Sequence, residues 1–190
     1  MTTRCLIRSG EARNSPAGHS SVLIHGLSAG GIRHCRIAAT GFAVERQLQR
    51  TSVGDVLQLR RSAFDLIVDL AIREYPLEAC GLISGPENNL DMAVEFHPCR
   101  NVAASARVYE LDPLEHMTIE RDVERDDREI IGVVHSHTHS EPYPSPTDVA
   151  QAPEPGWHYV IVSLKREGPE LRSYRIIDGT ITEEPVDLVD

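Results

Sequence analysis

The sequence predicts a fold of the α/β class, in which helices and strands share one hydrophobic core. Three observations support this prediction: an apolar stripe at helical spacing over residues 62–75, an apolar and β-branched run at residues 130–134, and two strand-like segments on either side of Asp178-Gly179. The chain has 190 residues and a hydrophobic content of 41%. This is enough for one core and too little for two full-sized domains.

The first 50 residues differ in composition from the rest of the chain. They contain seven arginines, two glutamates and no lysine, a net charge of +5, so the remaining residues carry −15. Their short apolar patches show no sustained period. We therefore expect residues 1–52 to be a poorly packed N-terminal extension and residues 53–190 to form the domain. An organellar transit segment or a mistaken start codon would also explain the arginine-rich start.

The first predicted helix has Ser62 as its N-cap and ends where Pro76 prevents continuation. Its apolar stripe, which we expect to face the core, consists of Phe64, Ile67, Val68, Ala71, Ile72 and Tyr75. Two short apolar runs follow and predict strands around a turn. They are residues 80–83, closed by Gly85-Pro86, and residues 92–96, closed by Pro98.

The second predicted helix begins with Asp112 as N-cap, Pro113 at the first position and Glu115 at the third. Its charged residues, through Asp127, form a solvated face. Residues 130–134 predict a buried strand that leads directly to His135. Three further strands are predicted at residues 158–164, 170–177 and 180–186, with a hairpin turn at residues 178–179.

Charge and cysteine content exclude several classes of function. A formal net charge of −10 and a pI near 5.3 oppose binding to nucleic acid or to an anionic membrane, which normally requires a basic surface. No apolar run approaches the ~20 residues that cross a bilayer. The four cysteines form no C-x-x-C pair, a pattern typical of a reducing compartment. We therefore expect a cytoplasmic protein without nucleic-acid or membrane partners.

The strongest chemical signal is the segment Gly132-Val-Val-His-Ser-His-Thr-His-Ser-Glu-Pro-Tyr-Pro-Ser-Pro-Thr-Asp148. Alternate side chains of an extended strand share one face, so His135 and His137 can present two imidazoles to one ion. Asp148 lies just inside a predicted helix start, where Ser145 is the N-cap and Pro146 follows. A catalytic zinc ion takes three protein ligands and leaves a fourth position for water. The segment therefore predicts a Zn²⁺ site.

Each part of this segment also has a purely structural explanation. Two histidines at i and i+2 arise by chance in a chain with nine histidines. Ser-Pro-Thr-Asp is a capping sequence whose acid the helix dipole favours. The metal site is favoured only because a strand end, two spaced histidines and an aspartate on the next helix turn converge on one place.

The order His135-Ser-His137, followed by Pro144-Ser145-x-x-Asp148, resembles the signature of the JAMM (MPN+) metalloproteases. That family also has a glutamate before a buried strand, and Pro76-Leu-Glu-Ala-Cys-Gly-Leu-Ile-Ser-Gly85 supplies Glu78 at this position. The resemblance covers roughly residues 56–189. It implies a mixed β-sheet flanked by helices, akin to the cytidine-deaminase scaffold, and makes residues 53–190 a catalytic domain.

The resemblance also assigns a role to each site residue. His135, His137 and Asp148 hold the zinc ion. Glu78 is the general base that activates the attacking water and then passes the proton to the leaving amine. Ser145 donates a hydrogen bond to the oxyanion.

The chain departs from the family pattern after the second histidine, where proline is common and Thr138 stands here. His139 follows and is a candidate extra ligand, although the nearby prolines indicate that the strand has already ended. Cys80 is either a reactive thiol or a small buried residue. Tyr143 is either a substrate contact or an exposed loop aromatic, and we expect His158 to be structural.

Within the family, the C-terminal third resembles the actinobacterial peptidases that act on a ubiquitin-like sulfur-carrier protein. The matching segments are residues 135–138, 143–145, 147–149, 158–160, 170–176 and 182–186. This likeness implies hydrolysis of the Gly-cysteine bond of a carrier that ends in a Gly-Gly-Cys adduct, and hence a role in cysteine biosynthesis.

Three other functions remain as alternatives. An isopeptidase that removes a ubiquitin-like modifier from lysine would use the same residues. A noncatalytic MPN scaffold is opposed by the complete signature. A TIM-barrel amidohydrolase can also carry a His-x-His motif, but that fold typically needs ~250 residues.

Overall fold

The computed structural model describes residues 56–152 and 154–190. The predicted N-terminal extension and the boundary at residue 53 lie outside this part of the chain. The described elements, in chain order, are β1 (Leu57–Arg60), α1 (Arg61–Glu74), β2 (Cys80–Pro86), β3 (Met92–Ala93), β4 (Glu95–Cys99), α2 (Pro113–Arg125), β5 (Arg128–His137), α3 (Pro146–Ala150), β6 (His158–Ser163), β7 (Glu170–Ile177), β8 (Thr180–Glu184) and β9 (Val186–Val189).

Six of these strands form a mixed sheet in the order β4-β2-β5-β6-β7-β8. The central pair β5 and β6 is parallel, and the other neighbouring strands are antiparallel. A second, parallel sheet has the order β3-β1-β9. The predicted α/β fold with a mixed sheet and flanking helices is therefore confirmed. The strand β1 and the second sheet were not predicted.

The six-stranded sheet has a hydrophobic cluster on each face, because consecutive residues of a strand point to opposite sides. Ile83 and Val134 belong to the cluster that contains the buried face of α1. Leu82 and Val133 belong to the other cluster, which contains Val123 of α2. The strands β2 and β5 are therefore buried on both faces, and β5 stays buried through its last residue, His137.

The helix α1 ends before Pro76 as predicted, but its start and part of its stripe were wrong. It begins at Arg61, directly after β1, and its N-cap Arg60 makes no side-chain capping bond, so Ser62 is not the N-cap. Ile72 is 55% exposed, because at 100° per residue it lies about 140° around the helix from the buried Ile67. Tyr75, which follows the helix, is also exposed.

The strands around the first turn extend further than the apolar runs predicted. β2 continues through Pro86, and the second run divides into β3 and β4. Pro98 does not close the strand but lies within β4, opposite Gly81. Proline is tolerated there because β4 is the edge strand of its sheet.

The second helix begins as predicted. Asp112 is its N-cap and accepts hydrogen bonds from the amides of Leu114 at 2.9 Å and Glu115 at 3.3 Å, and Pro113 opens the helix. Val123 is the one buried residue of α2, so the predicted solvated face is confirmed.

The hairpin of β7 and β8 turns at Asp178 and Gly179, which have φ angles of 49° and 77°. Two positive φ angles are the requirement of a type I′ turn. The prediction of one strand over residues 180–186 was wrong at its end. Pro185, which has no N–H to donate, separates β8 from β9, and β9 joins the second sheet. Within the described residues, no helix is long and apolar enough to span a membrane.

Candidate metal and active site

The end of strand β5 places His135 and His137 together. β5 lies between β2 and β6, where His135 is opposite Cys80 on one side and Ile161 on the other. The two histidines are separated by one residue and therefore point to the same face of the sheet. Both are buried, with exposures of 2% and 4%.

The short helix α3 brings Asp148 to the same place. Ser145 is its N-cap, and a reciprocal capping box joins the two residues: the Asp148 amide donates to Ser145 Oγ at 3.2 Å, and the Ser145 amide donates to Asp148 Oδ2 at 2.6 Å. Pro146 occupies the first helical position. The cap thus fixes the direction of the Asp148 carboxylate, which is buried.

Three atoms of these residues form a nearly equilateral triangle. His135 Nε2 and His137 Nε2 are 3.2 Å apart, and Asp148 Oδ2 lies 3.5 Å from the first and 3.6 Å from the second. Ligand atoms at 2.0–2.2 Å from a tetrahedral zinc ion are separated by about 3.3–3.6 Å. The triangle therefore fits three ligands of one zinc ion, and these three residues are the group of potential metal ligands found in the described part of the chain.

Hydrogen bonding directs the lone pair of His137 into this triangle. His137 Nδ1 donates to the Glu141 carbonyl at 2.7 Å, so Nε2 of the neutral ring carries a lone pair. The His135 ring stacks on Tyr109 with the ring centroids 4.3 Å apart. Among buried side-chain nitrogens and oxygens of the described residues, His135 Nδ1 alone has no hydrogen-bond partner. Two imidazole nitrogens and a carboxylate form the donor set of a catalytic zinc site.

The charges of the group suit a cation. Burial lowers the pKa of His135, which keeps the ring neutral near pH 7. Burial also opposes ionisation of Asp148, but hydrogen bonding with His135, His137 and Ser145 outweighs it and holds the pKa of Asp148 well below its ordinary value. Burial is likewise outweighed at His137, where hydrogen bonding with Asp148 and the Glu141 carbonyl raises the pKa of the ring, so a metal ion that binds its Nε2 would displace a proton. The site therefore presents a carboxylate with one negative charge and two imidazole nitrogens.

Glu78 lies beside this group, just before β2. Its amide donates to the Ser105 carbonyl at 2.8 Å, and its carbonyl accepts from Asn101 Nδ2 at 2.9 Å. The side chain is 5% exposed. Burial raises the pKa of Glu78 to about 7, with Asp148 adding to the increase and His137 opposing it. A buried carboxyl group with a pKa near neutrality can both accept and return a proton.

Sequence analysis missed Ser136, which joins the start of β2 to the end of β5. Its hydroxyl accepts from the Ala79 amide at 2.8 Å, and its own amide donates to the Ala79 carbonyl at 2.9 Å. These bonds hold Glu78 next to His137. The sequence signal was present, because a small residue between two ligands on a strand points to the opposite face.

A cavity of about 590 Å³ opens onto the group. Its lining consists of Glu78, Ala106, Arg107, His137, His139, Ser140 and Ser145. His139 is exposed, and its Nδ1 lies 2.7 Å from the Thr138 hydroxyl. It lines the cavity but stands outside the group of three potential ligands.

The remaining candidates stand outside the lining of this cavity. Cys80 is fully buried, and burial raises the pKa of its thiol to about 12, so the structural alternative holds. Tyr143 is exposed, and its ring contacts Tyr174 with the centroids 5.6 Å apart. His158 is completely buried among charged partners, as expected for a structural residue.

Comparison with known proteins identifies the family. The model of the prokaryotic homologues of the JAB domain (Prok-JAB) matches residues 60–177. The chain is 43% identical over 136 residues to the CysO-cysteine peptidase of Mycobacterium tuberculosis, an alignment that covers 71% of this chain and 92% of that protein. It is 42% identical over 94 residues to a desampylase of Haloferax volcanii, covering 49% of this chain and 67% of that protein.

A solved structure supports the fold. A solution structure of a Desulfitobacterium hafniense protein superposes with a TM-score of 0.62 and 28% identity, covering 70% of this chain and 92% of that one. Together with the matched residues 60–177 and the 43% identity, this likeness shows that the chain belongs to the JAMM/MPN family, among the prokaryotic homologues of the JAB domain.

Proposed function

We propose that this protein is a zinc-dependent peptidase that hydrolyses the bond between the C-terminal glycine and an added cysteine of a ubiquitin-like sulfur-carrier protein. The observation that carries the proposal is the meeting of the His135–His137–Asp148 triangle and the buried Glu78 at one cavity. The substrate is supported by the similarity to a relative named CysO-cysteine peptidase, which extends over 92% of that relative.

The metal-binding residues in this proposal are His135, His137 and Asp148. Zinc held there would supply Lewis-acid chemistry, since it lowers the pKa of water and polarises a carbonyl group. The protein contributes a rigid set of ligands, because the histidines end a central strand and the aspartate is held by a helix cap.

Glu78 moves the proton. As the water oxygen bonds to the scissile carbonyl carbon, the Glu78 carboxylate takes the proton that the water loses. When the carbon–nitrogen bond breaks, the same group gives this proton to the nitrogen of the departing cysteine, so charge and atoms balance. A pKa of about 7 suits both halves of this exchange.

Ser145 stabilises the oxyanion that forms during the attack. Its Oγ accepts from the Asp148 amide through a lone pair, which leaves the hydroxyl proton available for a second bond. Ser145 also lines the cavity, next to Glu78 and His137. The hydroxyl can therefore cap α3 and donate to the substrate at the same time.

A second candidate is an isopeptidase that removes a ubiquitin-like modifier from lysine, which the similarity to a desampylase favours. Both reactions would use the same residues, and a direct comparison of substrates separates them. The proposal includes a cytoplasmic location and a role in cysteine biosynthesis. The location is supported by Cys80 and Cys99, which face each other across β2 and β4 as free thiols.

The test is cysteine release. Zinc-loaded protein is incubated with CysO that carries a C-terminal cysteine, and with a carrier joined to lysine by an isopeptide bond. We expect cysteine release, followed by mass spectrometry, to exceed lysine release. Glu78→Gln removes the proton acceptor and should lower kcat by about 100-fold or more, while the zinc content stays at the wild-type level.

Glu120→Gln is the matched control, because Glu120 is exposed on α2 and its replacement should leave kcat unchanged. Cleavage of the lysine conjugate alone would establish the isopeptidase. A zinc-loaded wild type that cleaves neither substrate would refute the proposal and favour a noncatalytic scaffold.

A further inference from the structure

Arg107 lines the active-site cavity and is exposed. Several other arginines of the described residues pair with carboxylates, as Arg128 does with Glu95 and Arg175 with Glu184. No carboxylate of the described part of the chain lies within ion-pair distance of the Arg107 guanidinium. This group is therefore a positive charge that no carboxylate of the described residues pairs with, placed at the cavity that Glu78 lines.

The backbone holds Arg107 in a fixed relation to the reacting groups. The preceding residues are tied to both sides of the site: the Ser105 carbonyl accepts from the Glu78 amide at 2.8 Å, and the Ala106 carbonyl accepts from the buried Thr138 hydroxyl at 3.2 Å. The Arg107 amide itself donates to Ser105 Oγ at 3.2 Å. The segment 105–107 is thus hydrogen-bonded to Glu78 on one side and to Thr138 on the other.

The charges at the cavity indicate which substrate group Arg107 can bind. Glu78 and Asp148 are both carboxylates, and the chain as a whole carries a formal charge of −10. A substrate cleaved before its last residue brings a further negative charge, its free α-carboxylate. Zinc at the His135–His137–Asp148 triangle would balance the carboxylates of Glu78 and Asp148, so the α-carboxylate would remain without a cation of its own unless a side chain supplies one. The lysine of an isopeptide bond within a protein chain carries no carboxylate at this place.

We propose that Arg107 binds the α-carboxylate of the residue that is released, and that it selects C-terminal residues over isopeptide conjugates. The planar guanidinium can donate two parallel hydrogen bonds to a carboxylate, and lysine cannot reproduce this geometry. The inference rests on the proposed peptidase function and adds its substrate class: proteins whose scissile bond precedes a free C terminus.

The experiment compares one carrier in two forms, ending in Gly-Gly-Cys as the free acid and as the C-terminal amide. The wild type should have a kcat/KM about 10- to 100-fold higher for the acid. Arg107→Gln should lose most of this preference through a higher KM for the acid, with kcat and the values for the amide little changed. Arg107→Lys keeps the positive charge but cannot donate two parallel hydrogen bonds, and it should recover part of the preference.

Arg121→Gln is the matched control, since it removes an exposed arginine from α2, outside the cavity. It should behave as the wild type. An Arg107→Gln variant that still prefers the acid as the wild type does would overturn the role of Arg107 and leave the peptidase function standing.

A binding measurement separates the two proposals. Both forms of the carrier are titrated into Glu78→Gln, with and without Arg107→Gln, and followed by calorimetry. Tighter binding of the acid that depends on Arg107 supports the recognition step even when no turnover occurs. Equal binding of acid and amide by Glu78→Gln would refute it, whatever the activity of the wild type.

Discussion

Glu78 and Asp148 are both buried carboxylic acids, yet their pKa values move in opposite directions. Burial raises the pKa of Glu78 to about 7. Burial acts in the same sense on Asp148, but the two histidines and Ser145 reverse its effect. Environments that separate the pKa values of neighbouring acids also separate their roles. Asp148 suits a permanently charged ligand, and Glu78 suits a group that exchanges protons.

At the residue scale, Asp148→Asn tests the metal site. Asparagine keeps an oxygen that can accept from the Ser145 amide, so the cap of α3 is preserved while the charge is lost. We expect zinc affinity to fall by at least about 10-fold and cysteine release to stop, with an unchanged far-ultraviolet circular dichroism spectrum. Zinc content is measured by mass spectrometry after dialysis.

Asp65→Asn, an exposed substitution on α1, is the control and should retain zinc. Full zinc occupancy in Asp148→Asn would show that Asp148 is not a ligand.

At the scale of elements, a buried network joins three strands to the segment before β3. His158 of β6 lies between Glu184 of β8, 2.6 Å from Nδ1, and the Leu90 carbonyl, 3.0 Å from Nε2. Arg175 of β7 donates to Glu184 at 2.8 Å and to Asp91 at 2.6 Å. His158 Nε2 also lies 3.1 Å from Arg175 Nη2, whose positive charge opposes protonation of the ring, but Asp91 and Glu184 outweigh this effect and favour the charged imidazolium. Glu184 is the last residue of β8, and the chain continues from there into β9 of the second sheet.

His158→Gln should remove stability in a manner that depends on pH. Burial opposes the charged ring, but hydrogen bonds with Asp91 and Glu184 outweigh it and raise the pKa of His158. Its contribution is therefore present below about pH 6.5 and is lost as the pH rises through the raised pKa. The pKa of Glu184 is lowered, so its contribution is present above about pH 4.3 and is lost as the pH falls through that lowered pKa.

We therefore expect the difference in unfolding free energy between wild type and His158→Gln to be largest at pH 5–6, on the order of 3 kcal/mol, and to decline toward pH 9. Urea unfolding measures it. His116→Gln, a partly exposed substitution on α2, should give a difference that does not follow this profile. A constant difference for His158→Gln would contradict the charged state.

At the scale of the whole molecule, β1 is the middle strand of the second sheet. β1 pairs with β3 on one side and β9 on the other, and Leu57 and Leu59 are completely buried. The strand β9 is thereby held against β1. The strand β1 contributes these buried residues although it lies almost entirely before residue 60, where the family match begins.

A variant that starts at Val53 should fold and function. It keeps β1 and all the described residues, so we expect a melting temperature within about 3 °C of the full chain and the same rate of cysteine release. A variant that starts at Arg61 is the control. It lacks two buried leucines and should lose on the order of 4 kcal/mol or more. If the Val53 variant fails to fold, residues 1–52 belong to the domain.

Several features of the fold and the site could be predicted because their signals are local in the sequence. His135 and His137 share a face because they are two residues apart on a strand, and Asp148 was predicted from a cap that lies three residues before it. The start of α2 and the hairpin at Gly179 follow from the same kind of signal. Residues close in the chain impose these geometries before any tertiary contact forms.

Features that depend on residues distant in the sequence could not be predicted and are visible only in the folded chain. The pairing of β1 with β9 joins residues more than a hundred positions apart, and no periodicity in the sequence records it. The burial that raises the pKa of Glu78, the tie from Ser136 to Ala79, and the placement of Arg107 at the cavity arise in the same way. Their physical cause is the packing of separate segments, which determines desolvation and the position of each charge relative to the others.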